Sequence, residues 1–304
     1  QIFMPHQLPV LRFLILTADD QILQSNTVLS VKIDARLIRC DHGRKTMIFD
    51  THAHYDDSAF DEDREELLGG MNDHGIGTIV TIGADMKTSA AAVRLTERYS
   101  FIYGAVGVHP SETTGLTERD MEQLKEYAAL PRIVAIGEIG LDYHYPDTDR
   151  EVQQHWFARQ LELAKEVCLP VVIHSRDAAQ DTMRIMKEQH CEEIGGVIHC
   201  FSYSKEQALQ YVDMGFYIGV GGVITFKNAK KLVEAVEAVP IERIVLETDA
   251  PYLSPEPERG RRNHSGKLVY VADRVAGLKG VTVQELIRIT EENARRLYRM
   301  EADV

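Results

Sequence analysis

The sequence predicts an α/β chain folded as a (β/α)8 barrel of the TIM type, and three observations carry that expectation. Eight short apolar runs rich in β-branched residues recur from Met47 onward. Amphipathic stretches with helical periodicity separate them. The polar residues of the runs gather at their C-terminal ends. Strands buried on both faces read as continuous apolar runs, and their alternation with helices implies βαβ units and a parallel sheet. An open doubly wound sheet is the alternative, but no run is followed by a G-x-G-x-x-G fingerprint.

The expected strands are "MIFDTHAH" (47–54), "TIVTIG" (78–83), "YGAVGVHP" (103–110), "IVAIGEIG" (133–140), "PVVIHS" (170–175), "GVIHCF" (196–201), "FYIGVGG" (216–222) and "RIVLETD" (243–249). Helical patterns lie between them, including 150–167 and 228–239. Eight such units fit residues 47–304, the usual size of a single barrel domain. The "GVGGVI" stretch at 219–224 reads as close backbone packing at a strand end. Residues 1–46 carry none of these features and read as an N-terminal extension of unknown role. Its apolar stretch "LPVLRFLIL" (8–16) contains Arg12 and lacks a basic start and a small-residue cleavage site, so it does not read as a signal peptide.

Composition narrows the function classes. The 304 residues are 44% hydrophobic and 27% charged, with 47 acidic against 34 basic side chains and a formal net charge of −13. That excess argues against a protein that coats nucleic acid by bulk attraction. It leaves room for an enzyme that grips a phosphate or a strand end locally. Cys40, Cys168, Cys191 and Cys200 show no C-x-x-C spacing and read as reduced thiols of a cytoplasmic protein. No run is long enough to span a membrane.

The strand ends carry the chemistry. His52 and His54 end the first run, His109 the third, Glu138 the fourth, His174 the fifth, His199 the sixth and Asp249 the eighth. Side chains at i and i+2 of a strand share a face, so His52 and His54 can aim at one point. Taken alone, a strand-end histidine is commonly a satisfied polar residue, and a strand-end acid a helix cap. Repeated around one barrel mouth, they would concentrate desolvated polar groups, a costly arrangement unless something binds them. A divalent metal pair meets that need.

From Met47 to about Met300 the chain resembles the TatD family of metal-dependent deoxyribonucleases, related to the amidohydrolase-like barrels. The matching stretches are "FDTHAH", "GVHP", "GEIGLDYH", "VIHSRDA", "HCFS", "LETDAPYL" and "RGRRN". The resemblance implies hydrolysis of DNA phosphodiesters, as a 3′→5′ exonuclease on single-stranded or damaged DNA. It also implies two divalent ions, Mg2+, Mn2+ or Zn2+, acting on strand ends in a cytoplasmic monomer. His52 and His54 would bind the first ion with Asp249, Glu138 would bridge both, and His174 and His199 would bind the second. Asp249 would also accept a proton from the attacking water. Many amidohydrolase relatives bridge two metals through a carbamylated lysine at this strand end, whereas this run ends "AIGE".

Further residues form a second group. His109 and Asp142 match family pocket positions, with a cap or a hydrogen bond to a ligand imidazole as the alternative. Arg176 could hold a phosphate. Phe201 and Tyr252 could stack a base, with core packing as the alternative for Phe201. The loop after Asp249 offers Arg259, Arg261 and Arg262, with Arg261 taken as a substrate contact. Family members usually continue "RN" with Glu-Pro, whereas here Asn263 precedes His264 and Ser265. Glu247 shares a strand face with Asp249 and is expected to support a ligand. Cys200, next to His199, is expected on the opposite face. Two other readings stay open, a D-aminoacyl-tRNA deacylase or related ester or amide hydrolase, and a non-catalytic metal-binding barrel.

Overall fold

The structure, a computed structural model, describes residues 46–144 and 149–300. The N-terminal extension, apart from Thr46, and Cys40 within it lie outside the described residues. Eight strands follow one another around a single parallel sheet in chain order: β1 (Ile48–Ala53), β2 (Ile76–Ile82), β3 (Ile102–Val106), β4 (Ile133–Asp142), β5 (Val171–Arg176), β6 (Gly196–Ile198), β7 (Tyr217–Val220) and β8 (Ile244–Leu246). Past the end of β8 the chain returns to β1. His54 N donates to Ala250 O at 2.7 Å and Asp249 N to His52 O at 2.9 Å, which draws the two edges together. Eight parallel strands with helices between them make a (β/α)8 barrel.

Local chemistry sets where the crossover helices begin and end. Asp85 and Thr88 form a reciprocal cap on α2 (Met86–Arg98), and Ser204 and Gln207 do the same on α6 (Lys205–Asp213). Asp149 accepts from two backbone amides at the start of α4 (Arg150–Val167), which matches the expected helix end to end. Cys168 closes α4 in the left-handed conformation at φ 56°. The remaining helices are α1 (Arg64–Gly69), α3 (Glu118–Ala128), α5 (Ala179–Glu188), α7 (Lys230–Ala238), α8 (Leu268–Lys279) and α9 (Val283–Leu297).

Two apolar clusters hold the barrel. The larger lies between strands and helices and includes Ile79, Ile136, Phe157, Leu161, Ile173 and Leu246. The smaller takes residues from every strand, among them Phe49, Ile82, Ala105, Ala135, Val172, Val197, Tyr217 and Val245, joined by Leu297 and Tyr298. Each large side chain removed from water in this way contributes roughly 1.5–3 kcal/mol. Packing this dense leaves polar side chains for the strand ends.

Candidate metal centre

The first strand delivers its histidine pair through an irregular segment. The β1–β2 register shifts between Asp50 and Ala53, and beyond it His52 Nε2 and His54 Nε2 stand 3.1 Å apart. Glu138 enters from the middle of β4, where every residue is buried. Gly137 before it leaves the room, because a Cβ there would lie 2.5 Å from Val172 Cβ. Asp249 lies three residues past β8 at φ 57°, a left-handed turn that carries its carboxylate to the same point.

The distances divide the site in two. Glu138 Oε2 is 3.4 Å from His52 Nε2 and 3.8 Å from His54 Nε2. Asp249 Oδ1 is 3.7 Å and 3.4 Å from the same two nitrogens. The other oxygen, Glu138 Oε1, is 2.7 Å from His174 Nδ1 and 3.9 Å from His199 Nε2. Donors about 2.1 Å from a tetrahedral ion lie about 3.4 Å from each other. The first group has that spacing, and its donors suit Zn2+ or Mn2+ while admitting Mg2+. Converging ligand atoms form the groups His52–His54–Glu138 and His52–His199–Asp249 toward one side and Glu138–His174–His199 toward the other, with His109–Asp142–His174 beside them, and each could hold a cation.

The electrostatics fit a cation as well. Burial alone would raise the Glu138 carboxyl, but the charge of His199 and hydrogen bonds from His174 and His52 hold it well below its ordinary range. Burial likewise opposes the Asp249 carboxylate, and His54 and His199 overcome it. Burial pulls His54 down, yet Asp249 and Glu138 carry it up to about 9. His199 is carried up to about 10 against its own burial by Glu247 and Glu138. The buried carboxylates thus favour positive charge at this point, and a divalent cation can supply it. His52, stacked on His199 at 3.5 Å, is lowered by burial and by that neighbour.

Surrounding groups fix the rings. His54 Nδ1 lies 3.0 Å from Ile82 O, which leaves Nε2 for the centre. His174 Nε2 is 3.2 Å from Asp142 Oδ2, so Asp142 orients that imidazole. Glu247, buried, places Oε1 3.1 Å from His199 Nδ1 and accepts from Cys200 N at 2.6 Å. Gly219 makes space for it, since a Cβ there would lie 2.4 Å from Glu247 Oε2. His109 Nε2 approaches Glu138 Oε1 to 3.9 Å while its Nδ1 is held by Ser111 Oγ at 2.8 Å. Burial and the neighbouring His174 push His109 down to about 4.

Two expectations change. Phe201 is only 2% exposed and packs between Tyr203 and Tyr211, so its ring serves the core and not a base. Cys200 cannot be assigned a face by strand alternation, because β6 ends at Ile198 and Cys200 has φ 45°. It joins no group of converging metal-ligand atoms among the described residues. Tyr252 is 54% exposed with its ring 6.4 Å from His54, and its hydroxyl donates to Asp57 at 2.7 Å. Arg176 is exposed at the end of β5. Arg261 is exposed and paired with Glu258 at 2.9 Å. Arg262 is committed to Asp63 through contacts of 2.8 and 2.6 Å.

Sequence reasoning missed the supports. Gln160 on α4 accepts from Val108 N at 2.8 Å and donates to Val108 O at 3.0 Å, which pins the segment holding His109. Gln153, seven residues earlier on the same helix face, clamps Asp142 N and O at 2.8 and 2.9 Å. Asp50, fully buried, accepts from Thr248 Oγ1 at 2.7 Å and Ser265 Oγ at 2.6 Å. Asn263 donates to Thr248 O at 2.9 Å. For Asp50 the available signal was a carboxylate inside the apolar run 47–54, while Gln153, Gln160, Asn263 and Ser265 lie in polar surroundings that gave none.

An eight-stranded barrel whose rim gathers five imidazoles around the buried Glu138 carboxylate has the donor set of a metal-dependent hydrolase. The family profile described as "TatD related DNase" matches residues 49–299. The chain belongs to the TatD family. It is 44% identical over 254 residues to the uncharacterized metal-dependent hydrolase YabD of Bacillus subtilis (strain 168), covering 84% of this chain and 100% of that protein. It is 33% identical over 251 residues to the 3′-5′ ssDNA/RNA exonuclease TatD of Rahnella sp. (strain Y9602), covering 81% and 95% of the two chains. Among solved structures, the YJJV TatD homolog from Escherichia coli K12 matches with a TM-score of 0.79 at 32% identity, covering 84% and 98%.

Proposed function

We propose that the protein is a metal-dependent phosphodiesterase that removes nucleotides from the 3′ end of single-stranded or damaged DNA. The observation that carries this reading is the division of Glu138, one oxygen toward His52 and His54 and the other toward His174 and His199. A carboxylate so placed can bridge two divalent cations, drawn from Mg2+, Mn2+ or Zn2+. When bound, such a pair acidifies water and neutralises charge on a phosphoryl oxygen. Asp249, kept ionised by its histidine neighbours, is placed to accept the proton of the attacking water. Asp142 keeps His174 turned toward the centre, and His109 lines the approach. Arg176 and Arg261 hold phosphates and Tyr252 offers a stacking face. Relatives named as 3′-5′ ssDNA/RNA exonucleases support the substrate and direction.

The three described cysteines are free thiols, and no described helix is long and apolar enough to cross a membrane, which fits a cytoplasmic setting. The decisive experiment follows release of a 3′-terminal label from DNA of defined ends, after chelation and with added Mg2+, Mn2+ or Zn2+. Turnover should vanish on chelation and return with metal, and Glu138→Gln and Asp249→Asn should abolish it. Faster turnover of a charged D-aminoacyl-tRNA than of DNA would replace the nuclease reading with a deacylase. Loaded protein that binds DNA ends without cutting them would make the barrel a binding module.

A further inference from the structure

We infer that Gln153 and Gln160, two buried side chains of α4, are positioning residues that serve two halves of the hydrolysis separately. Gln153 acts through Asp142 and His174 on metal binding, and Gln160 acts through His109 on the phosphoryl group. This rests on the nuclease reading and extends it to how the parts of the site are aimed. The two glutamines stand seven residues apart on one helix, so they share a face about 10 Å apart along its axis. Both are fully buried, on a stripe whose other members are Phe157, Leu161 and Ala164. An amide on such a stripe is costly unless it is bonded, and leucine would fill the space without that demand.

Each amide is bonded to backbone that the β3–β4 ladder does not reach. That ladder stops at Val106 and Ile136. Beyond it Gln160 accepts from Val108 N at 2.8 Å and donates to Val108 O at 3.0 Å. Gln153 takes Asp142 N and O in the same two-point manner, at 2.8 and 2.9 Å. On the Gln153 side the clamped residue is Asp142 itself, whose Oδ2 lies 3.2 Å from His174 Nε2. His174 Nδ1 lies 2.7 Å from Glu138 Oε1. That imidazole thus turns Nδ1 to the centre and Nε2 to Asp142, so the aim of a candidate ligand depends on where Gln153 holds the Asp142 backbone.

On the Gln160 side the clamped residue precedes His109, whose ring has a defined tautomer. Ser111 N donates to His109 Nδ1 at 3.2 Å, and Ser111 Oγ lies 2.8 Å from the same nitrogen. A backbone N–H cannot turn away as a hydroxyl can, so Nδ1 keeps its lone pair and the proton sits on Nε2. The ring meets His174 edge to face, and its Nε2 stands 3.9 Å from Glu138 Oε1, beyond hydrogen-bond reach. A neutral N–H held there can donate to a non-bridging oxygen of the scissile phosphate, where charge grows in the transition state. It is a hydrogen bond and not a proton transfer, so it adds no step to the reaction. His109 is then a catalytic residue, and the Gln160 clamp sets its aim.

The test uses Gln153→Leu, Gln160→Leu and His109→Phe in the full chain. Titration of chelated protein with Zn2+ or Mn2+ should show affinity about 10–100-fold weaker in Gln153→Leu, and about that of wild type in the other two. At saturating metal, kcat for release of a 3′-terminal label should fall about 100-fold in Gln160→Leu and in His109→Phe, with KM little changed. Gln160→Leu combined with His109→Phe should lose no more than His109→Phe alone, because the clamp acts through that ring. Gln153→Glu and Gln160→Glu, which keep the shape and the accepted bond, take over if the leucine variants do not fold, with the same pattern at smaller size. Equal loss of metal affinity in the two glutamine variants overturns the division and places His109 among the ligands. Additive losses in the double variant overturn the path through His109, and a raised KM with kcat intact overturns its catalytic role. A nitrogen NMR spectrum with the His109 proton on Nδ1 overturns the donor. Wild-type protein that cuts no DNA under any metal overturns the nuclease reading, while a metal affinity lost in Gln153→Leu alone still supports the separate clamps.

Discussion

The Thr248 hydroxyl donates to Asp50 Oδ2 at 2.7 Å across 198 residues of sequence. That one bond ties the strand carrying His52 and His54 to the turn carrying Asp249. Thr248 N and His52 N donate to the other oxygen of Asp50 at 3.0 and 3.2 Å. Burial pushes the Asp50 carboxyl up to about 7 against the pull of its donors Ser265 and Thr248. The geometry of the first group of candidate ligands therefore depends on a carboxyl that touches no ligand side chain and meets His52 only at its backbone N.

Thr248→Val keeps the shape and removes a donor from a buried acceptor. It should cost about 1–3 kcal/mol of stability by denaturant unfolding. It should also weaken metal binding about 10–100-fold, as loss of an outer support does elsewhere. Titration with Mn2+ or Zn2+ reads the second effect, and unchanged affinity in a destabilised variant would limit Asp50 to a structural part.

Gly219→Ala tests the seat of Glu247. The added Cβ would meet Glu247 Oε2 at 2.4 Å, with the carboxylate confined by burial. Overpacking of this kind costs about 1–3 kcal/mol. Because Glu247 faces His199 Nδ1, turnover should fall along with stability. A variant that is less stable but turns over at the wild-type rate would separate Glu247 from the centre.

Metal should stabilise the fold. A ligand that binds only the native chain adds about 2.7 kcal/mol at a hundred times its Kd. Chelated protein should therefore melt earlier than protein in excess Zn2+ or Mn2+. His199→Asn should shrink that difference, and a Tm indifferent to every divalent ion would argue against the proposed centre.

His264 gives a dependence on acid that is separate from the centre. Burial, with Lys267, His74 and Arg262 nearby, lowers its imidazole from 6.5 to about 4, against the pull of Glu258. The unfolded chain binds this proton more readily than the folded one. Its contribution is therefore whole above pH 6.5, declines as pH falls toward 4, and is level below that. Unfolding at pH 7.5, 5.5 and 4.5 should show a shallower loss for His264→Gln than for wild type. Parallel curves would count against the buried neutral ring.

Much of this molecule is legible in order of residues alone. The runs that became β1 to β8 announce themselves by apolar continuity, and α4 by its period and by Asp149 ahead of it. Alternation along one strand predicts that His52 and His54 meet, and they do, although β1 is irregular there and ends at Ala53. Phe201 shows the limit, because a ring next to a candidate ligand can face the core or the mouth, and only the packing of Tyr203 and Tyr211 decides between them. Arg262 shows it again, since nothing in "RGRRN" tells which arginine Asp63 will take.

The sequence by itself determined the barrel, the identity of the polar residues at its rim and the family they resemble. These depend on periodicity, capping and motif order, which act over a few residues. Tertiary structure alone decided which oxygen of Glu138 meets which imidazole, that Gln153 and Gln160 clamp Asp142 and the His109 segment, and that Asp50 joins the two ends of the ring. Those are distances between groups far apart in the chain. They take definite values only once eight strands have closed and dense packing has left each side chain a single place to go.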